Sequence, residues 1–115
     1  KYDMTIWRGN TFTLSMTLKD AAGDVVDLTD ATLVFRSEWT GGSYRLETGT
    51  AGTGGDLTIT NAAGGIVTLE IDADQTRNYP LGARIDYEIE QRDGPIETTI
   101  LYGRVNAIGG VNDDA

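Results

Sequence analysis

Apolar and polar residues alternate with period two along most of the chain, the pattern of strands that bury one face. From Thr11 to Leu18, the apolar Phe12, Leu14, Met16 and Leu18 alternate with Thr11, Thr13, Ser15 and Thr17. From Arg84 to Arg92, Ile85, Tyr87, Ile89 and Gln91 alternate with Arg84, Asp86, Glu88, Glu90 and Arg92. Ala31–Trp39 places Leu33, Phe35 and Ser37 on one face, with Val34 and Arg36 opposite. Gly65–Ile71 sets Val67, Leu69 and Ile71 inward against Thr68 and Glu70. Thr98–Ile108 is apolar on both sides around Ile100–Leu101, which predicts an interior strand or one covered by a partner. Weaker strands are expected at Tyr2–Trp7, Tyr44–Thr48 and Asp56–Thr60.

Turn residues separate these runs. Ala22-Gly23-Asp24 precedes Val25-Val26, and Gly41-Gly42 follows Trp39. Asn61-Ala62-Ala63-Gly64-Gly65 suits a hairpin between Leu57–Thr60 and Ile66–Ile71. Arg92-Asp93-Gly94-Pro95 holds the Asp-Gly pair of a tight turn. Turns spaced by about 8–12 residues predict an all-β sandwich or barrel. Two stretches break the alternation. Residues 72–79, ahead of Pro80, predict one or two helical turns crossing between sheets near 73–79, capped by Asp72 or Asp74. Gly49–Gly55 has almost nothing to bury and predicts a mobile loop. The expected organisation is one β-sandwich domain over residues 1–108 and a flexible tail over 109–115.

Length and charge narrow the picture. At 115 residues the chain supports one core, and halving it would leave each part a very thin one. Eighteen acidic residues against nine basic ones give a net charge of −9. Such a surface repels phosphate backbones and anionic lipid, so nucleic acid and membrane surfaces are poor partners. No apolar run approaches the roughly 20 residues of a membrane-spanning helix, so no membrane insertion is expected.

Histidine and cysteine are both absent. Ser-His-Asp and Cys-His catalysis, disulfides and imidazole or thiolate zinc sites are thereby excluded. A carboxylate pair such as Glu88 with Glu90, or Asp72 with Asp74, is the remaining route to glycoside hydrolysis. A solvated acidic stripe or a helix cap accounts for both pairs more simply. Asp20, Asp24, Asp27 and Asp30 crowd one loop, and a hard cation such as calcium wants several oxygens. Their spacing does not match the EF-hand loop, and three of them suit turn positions. No catalytic, cofactor-binding or metal-ligating residue is assigned. The candidate contact residues are aromatic: Trp39 and Tyr44, which bracket Gly41-Gly42 at an expected hairpin tip, and Trp7 beside a loop. An exposed pair there would stack on a sugar or bury in a partner, and the alternative is a turn packed on its own sandwich edge.

Several segments, in order, resemble structural proteins of tailed phages. Trp7-Arg8-Gly9-Asn10-Thr11 resembles their "hydrophobic-Arg-Gly-Asp/Asn-Thr" opening, and Val26-Asp27-Leu28-Thr29-Asp30-Ala31-Thr32-Leu33-Val34-Phe35 their "V-D-L-T-G-A-T-V-x-F" segment. Gly64-Gly65-Ile66-Val67-Thr68-Leu69 is similar to "G-x-V-T-L". Asp74-Gln75-Thr76, Pro80-Leu81-Gly82 and Tyr87-Glu88-Ile89 resemble "x-Q-T-x-x-L-P-x-G-x-Y-x-Y-D-L". Asp30 stands where the family pattern has glycine, and the Tyr44–Gly55 loop has no counterpart. The likeness spans roughly residues 5–108 and is nearest to the immunoglobulin-like N-terminal domain of BppU-type upper baseplate proteins. It implies an immunoglobulin-like antiparallel sandwich without catalytic residues. It implies a structural part of a virion baseplate, tail or neck, assembled in the bacterial cytoplasm, with other virion proteins and copies of itself as partners. The competing expectation is a carbohydrate-binding or host-adhesion module using exposed aromatics.

Overall fold

A computed structural model describes residues 1–109, and alternation has become strand almost wherever it occurs. The elements are β1 (Met4–Arg8), β2 (Phe12–Thr17), β3 (Thr32–Trp39), β4 (Gly42–Glu47), β5 (Gly55–Asn61), β6 (Ile66–Ile71), α1 (Ala73–Thr76), β7 (Asp86–Asp93) and β8 (Ile96–Gly109). They form a five-stranded sheet, β1-β8-β7-β3-β4, and a three-stranded sheet, β2-β6-β5. Every pairing is antiparallel except β1 with β8. This strand order is that of an immunoglobulin-like sandwich of the variable type, with β1 added beside the last strand.

The chain changes sheet between β1 and β2 at Gly9-Asn10, and the left-handed backbone of Gly9 makes that corner. The apolar rows meet between the sheets. Leu33, Phe35, Val67, Leu69, Ile71, Tyr87 and Ile89 are buried. With no disulfide between the sheets, aromatic rings fill the centre. Phe35 stacks on Tyr87 at 5.9 Å and meets Tyr44 edge-on at 6.5 Å.

The structure sharpens one expectation and corrects others. The stretch around Ile100–Leu101 lies in β8, which is interior to its sheet between β1 and β7, and its doubled apolar face comes from an irregularity in the pairing. Ile89 pairs with Leu101 while Glu90 pairs with Thr99, so Ile100 is the extra residue of a β-bulge. The bulge resets the alternation, and both residues pack against the core. The crossover helix is a single turn without a side-chain cap. The Asp72 carbonyl already accepts the N–H groups of Gln75 and Thr76, while Asp74 pairs with Arg77 at 2.7 Å. Gly109 belongs to β8, opposite Arg8, and the remainder of the expected tail lies outside the described residues. The loop before β5 is tied at two points. Thr53 O accepts the Tyr44 hydroxyl at 2.7 Å, and Gly54 O accepts Asp72 N–H at 2.8 Å.

Candidate functional site

The three aromatics singled out from the sequence separate in space. The Gly41 tip does join β3 to β4, but Trp39 and Tyr44 both lie on the inward faces of their strands. Tyr44 is buried, and its ring edge meets Phe35. Trp39 is half-buried, 5.2 Å from the buried ring of Tyr79. No exposed aromatic pair forms there, because Tyr44 sits opposite Ser37 in register and shares its core-facing side. Trp7 points outward from the edge strand β1 and is 50 % exposed.

The carboxylates considered for chemistry are occupied locally. Glu90 bonds Arg92 at 2.9 Å, and Thr99 donates to Glu88 at 3.5 Å. Asp20 Oδ1 accepts the N–H groups of Ala22 and Asp24. Asp27 Oδ1 accepts both the hydroxyl and the N–H of Thr29, which hold its carboxyl below the usual carboxylate range. Among the described residues, no three acidic groups converge as a metal site would require. Asp30 adopts φ +60°, a left-handed conformation that glycine takes at less cost.

What the fold does assemble is surface. The outer face of the five-stranded sheet is a lattice of charge. Alternate residues share a face, so neighbours two apart on one strand pair: Arg36–Glu38 at 2.6 Å, Arg45–Glu47 at 2.8 Å and Arg92–Glu90 at 2.9 Å. Glu90 holds the Arg92 guanidinium charged more firmly still. Val34 is buried on this face, outside the core cluster, with Glu47 and Glu90 beside it in register. The methylene stems of such long side chains cover an apolar residue of this kind. Toward β1 the face carries the exposed rings of Tyr102 and Trp7. The β7–β8 hairpin extends beyond it, turned by Gly94 at φ +60° followed by Pro95, and Ile96 near its tip is 62 % exposed.

The three-stranded sheet presents a different outer face. Thr13, Ser15 and Thr17 on β2 lie beside Glu70, Thr68 and Ile66 on β6, with Asp56 and Thr58 on β5 completing the first two rows. It holds hydroxyls and two carboxylates and no basic residue.

No family model matches the chain, and no curated protein matches it. Among solved structures, a Bacteroides vulgatus protein described as a "putative glycoside hydrolase" is similar in fold, with a TM-score of 0.54 and 11 % identity. The likeness covers 96 % of this chain and 17 % of that protein. At this identity it speaks for the sandwich fold alone.

Three polar residues have structural roles whose partners the sequence pattern did not show. Ser37 and Tyr79 share a buried hydrogen bond of 2.9 Å, and burial pushes the Tyr79 hydroxyl up to about 12. Thr76 Oγ1 accepts Gly9 N–H and lies 3.0 Å from the Asn10 carbonyl, joining α1 to the β1–β2 corner. Ser37 lies on the inward row with Leu33 and Phe35 while Thr76 and Tyr79 lie on no alternating row, and each acquires its role from a residue more than 40 positions away.

Proposed function

We propose that this chain is a structural component of a phage-like virion (baseplate, tail or neck) that works through protein–protein contacts and carries out no catalysis. The observation that supports it best is at Asp30. The family pattern has glycine in its "L-T-G-A" turn, and the backbone of this chain is left-handed at that residue. A left-handed turn is the physical reason to keep glycine there, so this chain has the conformation that such a glycine suits although its own residue differs. The broad outer faces and the projecting β7–β8 hairpin suit a module that is docked against on several sides. The test is to purify phage-like particles from the host bacterium, identify this chain by mass spectrometry and locate it by cryo-EM. Symmetric copies in a baseplate, tail or neck are expected, and its absence from particles overturns the reading.

A carbohydrate-binding module is the second reading, favoured by the half-exposed Trp7 and not by the inward-facing Trp39 and Tyr44. Glycan-array binding that is lost in Trp7→Ala is its expected signature, and an array without hits removes it.

A further inference from the structure

A sandwich has four edge strands, and unprotected edges invite added strands. Here three edges are managed. β4 carries Arg45 and Glu47, and the loop before β5 is tied to it through the Tyr44 hydroxyl. β5 carries Asp56 and a bulge between Ile59 and Asn61. β1 ends in Arg8, whose guanidinium donates to the Arg77 carbonyl just past α1. β2 has none of these devices. Its sequence, Phe-Thr-Leu-Ser-Met-Thr, has no charge, no proline and no bulge.

The groups along its free side can be assigned. Among the described residues β2 pairs with β6 alone, and Leu18 N–H donates to Gly65 O on that side. Along a strand successive residues point their backbone groups to opposite sides. Even-numbered residues therefore address β6, and Thr13, Ser15 and Thr17 direct their N–H and C=O outward. On the inner face Phe12, Leu14 and Met16 remain only half-buried. Beside them a cavity lined by Tyr2, Leu14, Met16 and Leu101 leaves the gap between the sheets open.

We propose that two copies of this chain associate by antiparallel pairing of β2 with β2 across a two-fold axis at Ser15. In this register Ser15 faces Ser15 of the second copy, and Thr13 faces Thr17. All three outward residues find partners within the strand itself, two hydrogen bonds to each facing pair. A register centred on Leu14 would leave Thr17 facing Thr11, outside β2. On the inner face the Ser15-centred register sets Leu14 against Met16, apolar on apolar. Charge selects this edge for a second copy. A chain of net charge −9 repels its like, and β2 is the edge strand that brings no charge into the contact. The pairing is isologous and closes on itself, so it yields dimers and not fibres.

The inference stands apart from the virion reading, because it concerns the purified chain. The chain has no cysteine, so Ser15→Cys introduces a unique thiol. Facing residues in a hydrogen-bonded antiparallel pair have Cα atoms about 5.5 Å apart, within disulfide range. Mild oxidation is expected to cross-link Ser15→Cys into a dimer at least about tenfold faster than Thr58→Cys, an exposed site on β5 of the same sheet. Sedimentation equilibrium should show a concentration-dependent dimer that Ser15→Lys weakens at least about tenfold by setting two charges face to face. Circular dichroism checks that this exposed substitution leaves the fold intact. A chain that is monomeric at every concentration reached overturns the proposal. Equal cross-linking at Ser15 and Thr58, or a dimer indifferent to Ser15→Lys, does the same.

Discussion

The two long sides of the sandwich are closed by different means. On the β4–β5 side, close packing seals the gap between the sheets. Tyr44 reaches across to Thr53 and Gly54 holds Asp72, while Gly52 and Gly55 allow Leu46 and the Glu70 backbone to approach. On the β1–β2 side the sheets are joined by a corner. Thr76 grips Gly9 and lies against Asn10, Arg8 reaches the Arg77 carbonyl at 2.9 Å, and beyond the corner the apolar row of β2 is left half-covered. The difference shows that one fold can be fastened by close packing with hydrogen bonds across one flank and by a hydrogen-bonded corner on the other. The loosely covered flank is then the one with room for a partner.

The largest expected effect tests what both flanks share. Phe35 contacts Tyr44 toward the tight side and Tyr87 toward the centre, so Phe35→Ala should cost about 3–5 kcal/mol in urea unfolding. On the tight side alone, a Cβ at Gly55 would run into the Glu70 backbone carbonyl. Gly55→Ala should therefore cost about 2–3 kcal/mol, and a loss below about 0.5 kcal/mol would show that packing there is loose. On the corner side, Thr76→Val keeps the shape but strands the Gly9 N–H. A loss of about 1–3 kcal/mol is expected, with proteolysis appearing first near residues 9–10.

Alkaline titration probes the aromatic centre between the flanks. Burial raises the hydroxyls of Tyr44, Tyr79 and Tyr87 above their ordinary value. The unfolded chain loses these protons near pH 10, before the folded chain does. Stability is therefore intact below about pH 10 and falls as pH rises from about 10 to 12. Thermal unfolding followed over this range should show the decline, and Tyr79→Phe should flatten it. The smallest effect is a gain. Asp30→Gly relieves a left-handed residue outside both flanks and should stabilise by up to about 1 kcal/mol, with no change in either flank's proteolysis.

Much of this architecture was legible in the order of residues. Each alternating run became a strand within a few positions, and turns such as Asn61–Gly65 and Asp93–Pro95 fell where glycine and proline announced them. These are local matters. Which side of a strand is apolar, and where the backbone reverses, depend on neighbours within a few residues. The candidate contact site was less legible. Trp39 and Tyr44 flank a hairpin tip, yet whether a ring faces solvent depends on which face the opposing sheet covers. The exposed Trp7 and Tyr102 and the bare edge of β2 become apparent only once the strands are ordered.

The sequence by itself determined an all-β chain with one core, a short crossover before Pro80 and no histidine or cysteine chemistry. Tertiary structure decided the rest. It turned the doubled apolar face at Ile100–Leu101 into a bulge, drew two aromatics inward, and gave Ser37, Thr76 and Tyr79 their partners. Among the described residues it also left β2 without a neighbour on one side. These outcomes share a physical reason. Each depends on contacts between segments far apart in the chain, and strand order and sheet stacking, unlike period-two alternation, are set by how all the strands pack together.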